Sequence, residues 1–131
     1  MTFLIVIGYV LAALAAGLHV FIFYLESIAW EGPQARKVFG TTAEEAASTK
    51  SLAFNQGFYN LFLALAVFAG IIVAGCGEQA IGATLVFTGV GSMAAAAAAL
   101  FLSSAEHRGA AIRQGGLPLL ALIVLAVGLA L

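Results

Sequence analysis

Residues 2–30 read TFLIVIGYVLAALAAGLHVFIFYLESIAW. No charged residue occurs before Glu26, and about 20 apolar residues suffice to cross a bilayer core of about 30 Å as a helix. A secretory signal would need a basic leading region and a shorter apolar core. This run has no Lys or Arg ahead of it and stays apolar through Tyr24. It therefore reads as a retained transmembrane helix.

The rest of the chain agrees with that start. Of 131 residues, 63% are hydrophobic and 8% charged, with a mean hydropathy of +1.12. A soluble domain carries about 25% charged residues, so the composition describes one integral membrane domain whose partner is the lipid bilayer. The net charge of -1 says nothing about nucleic acid, and with no basic patch to suggest it, no nucleic-acid partner is expected. The lone Cys76 has no second cysteine to pair with, and its Gly-Cys-Gly setting reads as a turn.

Further apolar runs predict helices at about 43–74, 80–102 and 112–131 after a first at 2–30, giving an all-α four-helix bundle. Thr42-Ala43-Glu44-Glu45 fits a capping box and starts the second helix near Ala43. The fourth is the least defined. Its apolar part, Leu117–Leu131, spans only about 22 Å, and Pro118 favours a first-turn position there. The stretch 31–51 is a polar connection with a Gly32-Pro33 turn signal, and 103–116 is another, carrying Glu106, His107, Arg108 and Arg113.

All five basic residues (Arg36, Lys37, Lys50, Arg108, Arg113) fall in those two connections. The positive-inside rule then places both connections in the cytoplasm and both termini outside, in a bacterial cytoplasmic (inner) membrane. Small residues four apart, Ala12 with Ala16 and Ala13 with Gly17, and the Ala94–Ala99 run allow close helix packing. They serve either the bundle interior or a homo-oligomer contact.

Polar residues inside such segments are costly and mark candidate sites. His19 and Glu26 are two turns apart and share a helix face. Gln56 and Asn60 align on the second long helix, with Asn55 and Tyr59 on the adjacent stripe. Counting 1.5 Å per residue from the helix ends puts Glu26 level with Gln56 and His19 level with Asn60. Phe21, Phe23, Tyr24, Phe54, Phe58 and Phe62 are expected as aromatic walls. The expected site has Glu26 and His19 as proton-transferring groups, and Asn55, Gln56, Tyr59, Asn60, Tyr24 and Trp30 as substrate contacts. A carboxylate beside a histidine in low dielectric suits general acid–base catalysis or proton-coupled transport. Glu26 also has Lys50 as an alternative partner. Metal binding through His19, Glu26, Glu106 and His107 lacks ligand spacing, and a haem ligand from His19 has no supporting motif.

With these residues in view the chain resembles a bacterial and fungal membrane family catalogued as domain of unknown function 1304. The likeness rests on His19, Phe21-Ile22-Phe23-Tyr24-Leu25-Glu26 and Trp30, on Lys37-Val38-Phe39-Gly40, and on Asn55-Gln56-Gly57-Phe58-Tyr59-Asn60. It implies a small four-helix membrane protein and carries no activity. The residues themselves support three functions. One is an enzyme, such as an isomerase or epoxide-handling enzyme, acting on a lipophilic small molecule. The others are a small proton-coupled transporter and a structural or assembly subunit.

Overall fold

The computed structural model describes residues 2–131 and is all-helical. Helix α1 (Phe3–Phe23) runs straight into one π-helical turn, Tyr24–Ile28. Helices α2 (Pro33–Phe39), α3 (Ala43–Gly75), α4 (Gln79–Ser103) and α5 (Arg108–Ala130) follow, with a 3₁₀ turn at Ala105–His107 ahead of α5. Four segments are long and apolar enough to cross a membrane: Phe3–Ile28, Ala43–Gly75, Gln79–Ser103 and Ala105–Ala130.

The long helices pack in a ring. α1 lies against α3 and α5, α4 lies against the same two, and α1 and α4 barely touch across the centre. Alternating direction puts Gly75–Gln79 and both described chain ends at one end of the bundle. The 29–42 and 104–107 connections lie at the other, which we call the polar end.

Local chemistry explains the boundaries. Thr42 Oγ1 accepts from Glu45 N–H at 3.1 Å, and Glu45 Oε2 accepts from Thr42 N–H at 2.8 Å. The expected capping box is thus present, and α3 begins where it predicts. At 33 residues α3 is about 50 Å long and outruns a bilayer core. The first connection is not all loop. Pro33 occupies the first turn of α2, where its missing N–H costs nothing. Gly40 closes that helix at φ 67°, a conformation that disfavours a side chain, while Thr41 N–H bonds back to the Arg36 carbonyl at 3.1 Å.

The fourth span corrects the expected start. α5 begins at Arg108, so Arg113 lies within a helix and Pro118 sits deep inside it, fully buried. An internal proline frees a carbonyl one turn back, here that of Gln114. Membrane bundles tolerate this because neighbouring groups can satisfy the freed carbonyl.

Packing follows residue size. Ala12, Ala15, Ala16, Ala64 and Ala121 are fully buried with Val67, Val86, Val90 and Leu125. Ala12 and Ala16 therefore serve the bundle interior, whereas Gly17 faces outward with open space beside it. A Cβ on Gly82 would stand 2.5 Å from the Gly70 carbonyl oxygen, so α3 and α4 touch backbone to backbone. Large apolar side chains such as Phe3, Leu52, Phe62, Ile72 and Leu102 lie outside, as a bilayer-facing surface requires.

Candidate functional site

The π-helical turn sets the geometry of the polar end. Ala29 N–H bonds to the Tyr24 carbonyl, five residues back, at 2.9 Å. Such widened turns recur at functional sites because they displace one residue from the regular helical register. Here the turn carries Glu26 and Ser27. Ser27 Oγ donates to the Phe54 carbonyl of α3 at 2.8 Å. A side chain on Gly57 would collide with Ser27 Oγ, so α1 and α3 come this close only because residue 57 is glycine.

Glu26 is 8% exposed, and its Oε2 accepts from Asn60 Nδ2 at 2.9 Å. This differs from the Glu26–Gln56 pairing expected from depth. Side chains on a helix lean toward its N-terminus. On antiparallel helices Glu26 leans deeper while Asn60 leans toward the polar end, which closes a one-turn stagger between them. Gln56 borders the same cavity as Glu26 without a hydrogen bond to it. His19 and Asn60 border the same cavity but bond to different partners. His19, 3% exposed, donates Nδ1–H to the Ala15 carbonyl of its own helix at 2.9 Å. That leaves Nε2 of a neutral ring as a free acceptor. Lys50 is not the partner of Glu26, because its Nζ lies 2.6 Å from Glu31 Oε2 on the surface.

A cavity of about 390 Å³ opens between the four long helices at this level. His19, Glu26, Trp30, Gln56, Tyr59 and Asn60 all border it, so six of the eight expected residues are brought together. Asn55 is exposed and borders only a vestibule nearer the polar end, of about 670 Å³. Tyr24 is 44% exposed, stacks on Phe21 with centroids 6.4 Å apart, and borders neither space. The expected aromatic walls also lie elsewhere. Phe54, Phe58 and Phe62 form a ladder along α3 with Phe23 against Phe58, and Phe54 and Phe62 are more than half exposed. The aromatic residues on the cavity are Trp30, Phe39 and Tyr59.

A family model described as a protein of unknown function, DUF1304, matches residues 13–126. The chain belongs to that family. No curated protein and no solved structure matches it. The stretches that carried the resemblance converge on one place in this DUF1304 protein. His19 and Glu26 come from the first span, Trp30 from the turn just after it, Phe39 and Gly40 from the α2 closure, and Gln56, Gly57, Tyr59 and Asn60 from α3.

Several residues at this DUF1304 cavity escaped the sequence reading. Phe39 packs on Trp30 with centroids 5.1 Å apart, and Trp30 Nε1 donates to Thr49 Oγ1 at 3.1 Å. Thr41 Oγ1 is buried at the cavity and vestibule without a hydrogen-bond partner. It marks a point where a polar atom of a ligand or water would be satisfied. Glu106 and His107 were expected as solvated loop residues. Both are exposed, yet His107 borders cavity and vestibule, with Nδ1 2.7 Å from Ser104 Oγ, and Glu106 borders the vestibule. Gln114 also faces the cavity. The signals available were weak: an unexplained polar residue in α5, and a Phe-Gly pair that reads as ordinary helix closure. Among the described residues no three His, Cys, Asp or Glu side chains gather as a metal-holding group.

Proposed function

We propose that this membrane protein binds a lipophilic small molecule in the cavity at the polar end and moves protons on it, as an acid–base isomerase does. The observation that carries the reading is the buried Glu26 carboxyl. It is held by Asn60 on one oxygen and shares its cavity with the free nitrogen of His19. No hydrogen bond joins the two, and two helical turns separate them by about 10 Å along the axis. A ligand lying along the cavity is then addressed at two positions: the Glu26 carboxylate takes a proton at one atom, a His19 that has taken up a solvent proton on Nε2 gives that proton further along, and exchange with water restores both groups. Gln56, Tyr59 and Asn60 supply hydrogen bonds that orient the ligand, and Trp30 supplies an apolar wall. The basic residues cluster at the polar end, which supports a cytoplasmic mouth in an inner membrane.

Solvent deuterium tests the chemistry. The purified protein is incubated with lipid extracts in D₂O, and the lipophiles are analysed by mass spectrometry. A proton-abstracting enzyme places deuterium on carbon of its ligand, and Glu26→Gln abolishes this. A ligand that co-purifies but never acquires deuterium would leave binding or transport in place of catalysis. His19→Gln should match Glu26→Gln, and the double change should be little worse, because groups acting as a unit are non-additive.

A further inference from the structure

The charge on the walls points to the class of ligand. Glu26 borders the cavity, the vestibule and a side groove between the π turn and α3. Glu45 and Glu106 border the vestibule. No Lys or Arg borders the cavity or the vestibule. The basic side chains at this end are engaged or turned away. Arg36 Nε donates to the Thr41 carbonyl at 3.5 Å, and Arg108 Nε donates to the Phe101 carbonyl while lying over that ring. Lys50 borders only the side groove and is paired with Glu31. Lys37 and Arg113 are exposed and border none of the three. The two histidines that face the space have their Nδ1 atoms bonded to Ala15 and Ser104.

Glu26 thus has no cationic partner among the described residues, and only its Oε2 accepts a hydrogen bond. A buried carboxylate is stable only with a counter-charge or a proton. Trp30 borders all three spaces that Glu26 borders, and Phe39 joins it at two of them, their rings tilted by 51°. Aromatic rings bordering the same space as a carboxylate attract an organic cation. Resting on the cavity reading above, we propose that the ligand is a lipophilic organic cation, its charged centre held between Glu26 and the Trp30–Phe39 pair. Glu45 and Glu106 draw such a molecule to the mouth and repel anionic lipophiles.

Trp30 is the only tryptophan in the chain, so its emission reports on this place alone. The full-length protein in neutral-lipid nanodiscs is titrated with tetraphenylphosphonium, tetraphenylborate and triphenylphosphine oxide. We expect a saturable change in Trp30 emission with the phosphonium, at half-saturation at least about tenfold below that of the neutral oxide, and none with the borate. Glu26→Gln should weaken phosphonium binding by about tenfold or more, and Glu106→Gln by about two- to threefold. If Glu26→Gln does not fold, the wild-type cation-to-neutral ratio and Glu106→Gln decide. Saturable binding of the neutral oxide as tight as that of the phosphonium would overturn the cation class and leave the cavity reading standing. No saturable response to any of the three compounds would overturn both.

Discussion

The two ends of this bundle are built for opposite purposes. At the end holding the Gly75–Gln79 turn, Gly70 and Gly82 bring α3 and α4 into backbone contact, and Gly8 and Gly128 do the same for α1 and α5. One polar contact, Gln79 Nε2 to Tyr9 Oη at 2.7 Å, ties that end together. At the polar end the four helices surround a cavity, α1 finishes in a π turn held close to α3 at Gly57, and a buried carboxylate and a buried histidine face the gap. Where no hydrophobic effect joins helices in lipid, small residues supply the adhesion. Close glycine contacts occur at both ends, at Gly57 and Gly115 as well as at Gly8, Gly70, Gly82 and Gly128, but only the polar end adds a cavity and buried ionisable groups to them. That division is what a site on a small scaffold requires.

Overfilling the tight end should have the largest effect. Gly82→Leu forces a side chain against the Gly70 carbonyl and Ala74. Such overpacking costs about 1–3 kcal/mol and sometimes more, so we expect a markedly lowered thermal transition or loss of folded protein in detergent. Gly116→Ala at the polar half, with open space around it, should leave the transition unmoved. Equal losses at both positions would erase the contrast between the ends.

The seam of the site comes next. Gly57→Ala displaces Ser27 and breaks its bond to the Phe54 carbonyl. We expect a loss of about 1–2 kcal/mol, together with a shift in Trp30 emission. Gly57→Ala without either change would mean the α1–α3 approach is not set by that glycine.

Removing Asn60 separates stability from function. Asn60→Leu leaves the Glu26 carboxyl without its donor. It should cost about 1 kcal/mol, within the range of membrane hydrogen bonds of about 0.6 and at most about 1.7. Glu26→Gln removes a buried charge and should hold stability nearly constant while abolishing ligand chemistry. In the double variant the Asn60→Leu penalty should shrink. An unchanged penalty would show that Asn60 does not act through Glu26.

The smallest effect belongs to the surface pair. Glu31 and Lys50 are 45% and 66% exposed, and such pairs contribute about 0–1 kcal/mol. Lys50→Ala should move the thermal transition by less than the error of Gly57→Ala. A larger loss would make this pair a strap across the side groove. Which end faces the cytoplasm is checked separately by cysteine labelling at Gln34 and Gln79 in a Cys76→Ser background, where opposite accessibility is expected. Labelling from one side alone would overturn the charge argument.

Much of this molecule is decided by local rules. Apolar run length sets the four spans, because each must bridge about 30 Å without exposing backbone polar groups. Thr42 and Glu45 start α3 by a reciprocal bond within one turn, and Gly40 stops α2 by tolerating a positive φ. Polarity out of place was enough to single out His19, Glu26 and Asn60. What the sequence could not decide is which of them meet. Counting residues from helix ends assumes a uniform rise and side chains standing level with their Cα atoms. The π turn at Tyr24–Ile28 breaks the first assumption, and the Glu26–Asn60 bond, reached across a one-turn stagger, breaks the second. Pro118 misled for a related reason: in isolation it favours a helix start, and only the packed bundle lets it sit inside one. Tertiary packing alone drew His107, Thr41 and Gln114 to the cavity, because their place depends on how separate helices approach one another, and no local spacing encodes that distance.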